Sequence, residues 1–140
     1  MEYNLFIDTS GFFSILVNTD SKHHAATKII AELAQHRRKA LTSNFVIDET
    51  FTLLKARNEF TKVQILLDIM EKSNALVVKS IDENLFSNSI SYFLQHADKQ
   101  YSFTDCTSFL LMKEYKIRLA LSTDKHFFQA GFSALLKDKG

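Results

Sequence analysis

Short apolar runs alternate along this chain with segments of helical periodicity. Four runs predict strands buried on both faces, as in a parallel sheet: Leu5–Ile7, Ala40–Thr42, Ala75–Val78 and Arg118–Ser122. Apolar residues at three- and four-residue spacing predict helices over 12–17, 22–37, 45–60, 61–72, 82–96 and 102–115. A closing turn or helix is expected near 127–132, and a last short strand at Leu135 and Leu136. This order predicts an α/β fold with three α/β/α layers and a mostly parallel, four- or five-stranded central sheet.

Composition limits the classes that this chain can belong to. Its 140 residues, 46% hydrophobic and 24% charged, predict one globular domain spanning 1–140. The net charge of +1 provides no overall basic field, so any contact with nucleic acid requires a local patch. A single cysteine, Cys106, fits a reducing cytoplasm. No signal peptide is expected, and no apolar run approaches the ~20 residues that cross a bilayer.

Asp8 directly follows the first predicted strand. Thr9-Ser10-Gly11 then indicates a tight turn into a helix, which places Asp8 at the carboxyl end of a central strand. Ligands and chemistry collect at that edge in open α/β sheets. A helix N-cap is the alternative role for Asp8, and these residues alone leave the two open.

The helix predicted over 45–60 carries two acids on different faces. One stripe contains Val46, Glu49, Leu53, Ala56 and Phe60, and Glu49 is its one member that is not apolar. Asp48 lies instead with Thr52, Lys55 and Glu59 on a solvated face. A carboxylate in an apolar seam costs several kcal/mol or takes up a proton, and a nearby cation removes this difficulty. That cation is either a lysine or arginine of this chain or part of a functional site.

Two further acids lie at the same predicted edge. Asp124 follows the fourth strand, and Asp105 stands three residues after Ser102, which is also the spacing of a capping box. Like charges at ~4 Å repel by about 4 kcal/mol at an effective dielectric constant of 20. Divalent cations relieve this repulsion, and oxygen ligands favour Mg²⁺ or Mn²⁺. Such ions suit the cleavage of phosphodiesters.

Four motifs in order resemble those of a known family. They are Phe6–Phe13, Thr42–Glu49, Ser102–Phe109 and Ser122–Phe127, and together they extend over nearly the whole chain. The chain resembles PIN-domain ribonucleases, and among them the VapC-type toxins of prokaryotic toxin–antitoxin pairs and their stand-alone relatives.

The resemblance implies a function and a set of site residues. Asp8, Glu49, Asp105 and Asp124 would be the catalytic and metal-binding acids, supported by hydrogen bonds from Ser10 or Thr123. Implied activity is Mg²⁺- or Mn²⁺-dependent cleavage of single-stranded RNA by a homodimer. A cognate antitoxin would insert a basic side chain into the acidic pocket. Asp98 is a candidate auxiliary acid. Many relatives carry a further acid where this chain has His126, so a second metal would be held weakly or only with substrate.

Two other classes of protein are alternatives. A phospho-acceptor signalling domain needs an acid pair after the first strand and an acceptor aspartate after the third, which here ends in Val77-Val78-Lys79. A non-catalytic RNA-binding domain is disfavoured because all four acids are present. Candidate contacts to the RNA backbone are Lys22, Arg37, Arg38, Lys55, Arg57, Lys99 and Lys125.

Overall fold

A computed structural model describes residues 2–138 of the chain. Met1, Lys139 and Gly140 of the predicted domain lie outside the described residues. One parallel sheet has the strand order β3-β2-β1-β4-β5. Its strands are β1 Leu5–Ile7, β2 Ala40–Ser43, β3 Leu76–Lys79, β4 Leu119–Leu121 and β5 Ser133–Ala134. The predicted parallel α/β architecture is therefore confirmed, with β1 at its centre.

Seven helices flank the sheet within residues 2–138. They are α1 Thr9–Leu16, α2 His23–Gln35, α3 Asn44–Ala56, α4 Thr61–Lys72, α5 Glu83–Gln95, α6 Phe103–Glu114 and α7 Lys125–Gln129. Helix α4 has the predicted bounds. Helix α1 begins three residues earlier than predicted, because the expected turn at Thr9-Ser10-Gly11 is its first helical turn. None of these helices is long and apolar enough to cross a membrane.

The prediction of a last strand at Leu135 and Leu136 is wrong by two residues. The strand is formed instead by Ser133 and Ala134, which pair in parallel with Leu119 and Ala120 of β4. An edge strand needs backbone pairing on one side only and tolerates a polar serine there. The backbone contact with β4 continues past this strand, since Leu135 and Leu136 donate their N–H groups to the carbonyls of Ala120 and Ser122, and Leu136 is 2% exposed.

Periodicity over 82–96 predicts an inward apolar face made of Leu85, Phe86, Ile90, Phe93 and Leu94, and this prediction is largely wrong. Helix α5 packs on α6, and Ser89 is its buried residue. Ser89 tolerates burial because its hydroxyl donates to the Leu85 carbonyl at 2.7 Å. Leu85 is partly buried against the core, whereas the other four large apolar residues of this face are 40–69% exposed: Phe86, Ile90, Phe93 and Leu94. The apolar face therefore lies on the surface of the chain.

Gly11 brings α1 into direct contact with β4. A Cβ atom at this position would lie 2.1 Å from the Leu121 carbonyl oxygen, a separation that only glycine avoids. The same carbonyl accepts a hydrogen bond of 3.4 Å from the Asp8 backbone N–H. The end of β1 and the start of α1 are thus held against the end of β4.

We expect Gly11→Ala to lower the free energy of unfolding by more than ~3 kcal/mol, since its methyl group meets rigid backbone. Gly131→Ala is the matched control. Gly131 has φ of +99°, and the space that a methyl group would occupy there is open. Its substitution should therefore cost only about 1 kcal/mol, through backbone strain. Urea denaturation of both variants measures the difference, and equal losses would contradict the close contact at Gly11.

Candidate active site

Asp8 is held by three hydrogen bonds at the carboxyl end of β1. Its Oδ1 accepts from the Gly11 backbone N–H at 2.9 Å and from the Ser10 hydroxyl at 2.8 Å. Its Oδ2 accepts from the Ser122 hydroxyl at 2.7 Å. Asp8 is thus the N-cap of α1 and also lies at the predicted sheet edge. The two roles left open by the sequence are compatible.

Burial makes Asp8 an unusual carboxylate. The residue is 7% exposed, and burial raises the pKa of its carboxyl from 3.8 to about 7. The hydrogen bonds from Gly11, Ser122 and Ser10 lower this pKa, whereas the charge of Asp124 raises it further. Asp8 therefore carries its negative charge at neutral pH only at a cost in free energy, which a nearby cation would remove.

Asp105, Asp124 and His126 form the compact part of the site. One ligand atom from each residue lies within 4.8 Å of the other two. The Nδ1 atom of His126 lies 3.0 Å from Asp105 Oδ2 and 3.2 Å from Asp124 Oδ1. All three side chains are partly buried, so their interactions are weakly screened by water. The sequence indicates His126 only as the replacement of an acid and does not predict this contact.

Helix capping fixes the two carboxylates of this cluster. Asp105 and Ser102 form a capping box, in which Asp105 Oδ2 accepts from the Ser102 backbone N–H at 3.1 Å. Asp124 caps α7, and its Oδ1 accepts from the His126 backbone N–H at 2.8 Å. Burial is the main reason that the pKa of the Asp105 carboxyl is raised, and the charge of Asp124 adds to it.

A serine network joins Asp8 to Asp124. Besides donating to Asp8, the Ser122 hydroxyl accepts from the Asp124 backbone N–H at 2.9 Å. The Ser10 hydroxyl accepts from the Thr123 backbone N–H at 3.0 Å. Ser10 thus makes the expected contact. Thr123 contributes its backbone N–H and not its side chain. The second side chain that donates to Asp8 is that of Ser122. Sequence reasoning missed Ser122, although this residue ends the fourth predicted strand two residues before Asp124.

The predicted helical phase of Glu49 is wrong. The buried residues of α3 are Val46, Ile47, Thr50 and Leu54, whereas both Asp48 and Glu49 are exposed. Thr50 can be buried because its hydroxyl donates to the Val46 carbonyl at 2.7 Å. Glu49 is nevertheless tied to the start of α1, since the Thr9 hydroxyl donates to its Oε1 at 2.6 Å. Glu49 and Asp8 lie outside the three-residue cluster.

In the described part of the chain, these carboxylates have no lysine or arginine as a counter-charge. Within residues 2–138, no lysine or arginine nitrogen lies within 4.0 Å of Asp8, Glu49, Asp105 or Asp124. The imidazole of His126 is the one basic group at that distance in the same range. A mainly oxygen donor set that is short of positive charge fits a hard divalent cation.

The auxiliary candidates lie outside this network. Asp98 is exposed and pairs with Lys99 at 3.7 Å. Lys22 pairs with Asp138, and the Arg57 guanidinium lies 5.9 Å from the centre of the Phe13 ring. Lys125 directly follows Asp124 as the first residue of α7 and is exposed. Contacts between these basic residues and RNA stay predictions.

Comparisons with known proteins identify relatives of this chain. The model of the PIN domain family matches residues 5–133. The 23S rRNA-specific endonuclease VapC20 of Mycobacterium tuberculosis is 30% identical over 128 residues, 91% of this chain and 95% of that relative. The crystal structure of M. tuberculosis VapC20, a sarcin–ricin loop cleaving toxin, has a TM-score of 0.81 and 28% identity over 93% of this chain and 97% of that chain. FitAcB from Neisseria gonorrhoeae shares the fold, with a TM-score of 0.61 and 16% identity over 93% of this chain and 94% of that chain.

Asp8→Asn should stabilise the metal-free protein above pH 7. The folded-state pKa of Asp8 is raised above the unfolded value, so its contribution to stability is complete below about pH 4 and is lost as pH rises to about 7. This loss reaches up to ~4 kcal/mol at about 1.36 kcal/mol per pKa unit. Weaker hydrogen bonds to the amide offset part of it, so we expect a net gain of about 1 to 3 kcal/mol at pH 8.

Chemical denaturation in chelator between pH 4 and pH 8 measures this effect. The stability of Asp8→Asn should fall less across the range than that of the unmodified chain. Asp98→Asn changes an exposed carboxyl and should follow the unmodified chain. Parallel curves for Asp8→Asn and the unmodified chain would contradict the raised pKa.

Proposed function

We propose that this chain, which belongs to the PIN-domain family, is a VapC-type endoribonuclease that hydrolyses phosphodiester bonds in RNA with Mg²⁺ or Mn²⁺. The observation that carries this proposal is the gathering of Asp105 and Asp124 at the sheet edge where Asp8 lies, without a lysine or arginine among residues 2–138 to neutralise them. The match of residues 5–133 to the PIN domain supports the same conclusion.

The four acids are the proposed metal ligands and catalytic residues. Ser10 and Ser122 hold the Asp8 carboxylate, and Thr9 holds that of Glu49, so both are oriented before any ion binds. A divalent cation bound here would increase the acidity of the attacking water and stabilise charge on the phosphate. Glu49 is exposed, and its Oε2 has no hydrogen-bond partner within residues 2–138. Its proposed role is to accept a proton from water at the edge of the site.

RNA with unpaired loops is the proposed substrate. The relative VapC20 is described as specific for 23S rRNA, and its crystal structure as that of a sarcin–ricin loop cleaving toxin. A ribosomal RNA loop is thus the first substrate to test. The net charge of +1 means that phosphates must be attracted locally. Lys125, beside Asp124, is the candidate basic residue nearest in sequence to the acids.

An antitoxin is the proposed regulatory partner. Asp105 and Asp124 are partly buried and, within the described range, are not neutralised by lysine or arginine, so an inserted basic side chain would form charge-assisted hydrogen bonds there. Such a side chain would occupy the position of the divalent cation. Inhibition and the loss of metal would then be one event.

A homodimer is the proposed assembly. The exposed apolar face of α5 contains Phe86, Ile90, Phe93 and Leu94. Phe86 and Phe93 also contact the ring of Phe103 edge to face, at 5.3 and 5.8 Å between ring centres. A continuous apolar surface of this kind favours burial against a second copy.

The cytoplasm is the proposed location. Cys106 is the one cysteine of the chain and is fully buried in α6, which fits a reducing compartment.

The Cys106 thiol is not a candidate nucleophile. Burial, and then the charge of Asp105, raise the pKa of this thiol to about 11. The thiol therefore stays protonated at neutral pH and is a poor nucleophile, in agreement with chemistry carried by the carboxylates.

RNA cleavage by matched acid variants tests the proposed activity. Purified protein is incubated with labelled RNA that contains an unpaired loop, with Mg²⁺, with Mn²⁺ and with chelator. Asp105→Asn and Glu49→Gln should each lower the cleavage rate at least ~100-fold, because each removes a proposed ligand charge. Asp48→Asn, one residue away on the exposed face of α3, should retain the rate within about twofold.

Several outcomes of this assay would count against the proposal. Cleavage that survives chelator would exclude the metal-dependent mechanism. Equal effects of the Glu49 and Asp48 variants would remove Glu49 from the site. Binding of RNA without cleavage under every metal condition would favour the non-catalytic RNA-binding alternative.

Phe93→Glu should dissociate the homodimer. We expect the unmodified protein to sediment at twice its chain mass of 16.1 kDa, and the variant at the chain mass. The new charge would have to be buried in the interface, at a cost of several kcal/mol. Ile65→Glu on α4 is the control, since Ile65 is 46% exposed and Phe93 is 42% exposed. A dimer that survives Phe93→Glu but not Ile65→Glu would move the interface to α4.

A further inference from the structure

His126 occupies the space between two proposed metal ligands. Its Nδ1 atom lies 3.0 Å from Asp105 Oδ2 and 3.2 Å from Asp124 Oδ1. Two ligands at right angles, each about 2.1 Å from an ion, are roughly 3 Å apart. The two separations from Nδ1 therefore suit adjacent positions around one small cation, and one ligand atom of each of the three residues lies within 4.8 Å of the other two.

Each of the three donors is fixed by a different part of the fold. The capping box at the start of α6 holds Asp105, and the cap of α7 holds Asp124. The imidazole ring packs edge to face against Tyr101, with 5.6 Å between ring centres and 73° between the planes. Tyr101 is itself 7% exposed, so this support is rigid. Little side-chain entropy remains to be lost when an ion binds.

We propose that His126 is a metal ligand through Nδ1, together with Asp105 and Asp124, and that it biases this site toward Mn²⁺ over Mg²⁺. The inference rests on the proposed function, because that function supplies the divalent cation. Mg²⁺ requires oxygen ligands and gives up its waters reluctantly. First-row transition ions accept imidazole nitrogen readily. A nitrogen in place of an acid therefore penalises Mg²⁺ more than Mn²⁺.

The hydrogen bonds of these three side chains are compatible with metal ligation by His126. In the metal-free arrangement, Nδ1 has two carboxylate oxygens as partners. Ligation uses the neutral ring with its proton on Nε2, so Nδ1 exchanges those contacts for one bond to the ion. Asp105 Oδ2 and Asp124 Oδ1 each accept one backbone N–H, from Ser102 and from His126, and each oxygen keeps a further lone pair for the ion.

Calorimetric titration with Mn²⁺ and with Mg²⁺ measures the preference directly. The variant His126→Asn keeps an N–H donor close to the position of Nδ1 but lacks the ligand nitrogen. We expect it to lose at least ~10-fold in Mn²⁺ affinity and much less in Mg²⁺ affinity. His126→Asp supplies an oxygen ligand, so it should bind both ions while the ratio of their affinities falls at least ~10-fold. His24→Asn, at an exposed residue of α2, should behave as the unmodified chain.

Electron spin-echo spectroscopy of bound Mn²⁺ supplies a signature that a merely structural role would not give. Modulation from an imidazole ¹⁴N should be present in the unmodified chain and in His24→Asn, and absent in both His126 variants. Absence of that modulation in the unmodified chain would overturn the proposal. An unchanged Mn²⁺/Mg²⁺ ratio in His126→Asp would overturn it as well.

These measurements separate this inference from the proposed nuclease activity. Mn²⁺ that binds with the ¹⁴N signature, in a protein that cleaves no RNA, would refute the activity and retain the ligand. Metal-dependent cleavage without the signature would refute the ligand and retain the activity. Binding of both ions by His126→Asp also shows that replacing the imidazole does not by itself unfold the site.

Discussion

The contact between Gly11 and β4 determines where the acids meet. The backbone of α1 approaches the Leu121 carbonyl so closely that no Cβ atom fits. This approach places Ser10 and Asp8 beside the end of β4, where Ser122 bonds to Asp8 and Asp124 follows two residues later. Residues more than one hundred positions apart thus share one network. A longer separation between α1 and β4 would leave each carboxylate in its own helix cap.

Helix capping and the proposed catalysis draw on the same side chains in this fold. Asp8, Asp105 and Asp124 each accept backbone N–H groups at a helix start, which stabilises the helix and fixes the carboxylate rotamer. Burial and mutual repulsion destabilise the charged form of these carboxyls, and they raise the pKa of Asp8 and of Asp105. The fold therefore holds acids in position at a cost that a bound cation would offset.

The periodicity of the sequence predicted most of the architecture, for a physical reason. Strands buried on both faces are continuous apolar runs, and the acid that follows each run lies at the carboxyl edge, as Asp8 and Asp124 do. The phase of α3 and the face of α5 could not be read in the same way. The hydroxyls of buried Thr50 and Ser89 donate to carbonyls of their own helices, so these polar side chains can pack in the core as small residues. A pattern built on hydrophobicity alone assigns those positions to the solvent.

The contacts of Ser122 and His126 depend on tertiary packing that spacing does not encode. Ser122 gains its role only because α1 reaches β4, and His126 only because α6 brings Asp105 to the start of α7. The imidazole then stands where an acid is expected from the family resemblance. An acid there would add a further negative charge to a site whose carboxylates already repel one another, whereas an imidazole adds no negative charge. As the proposed ligand, His126 would let this site keep its number of donors while lowering the negative charge that the fold must hold together before an ion binds.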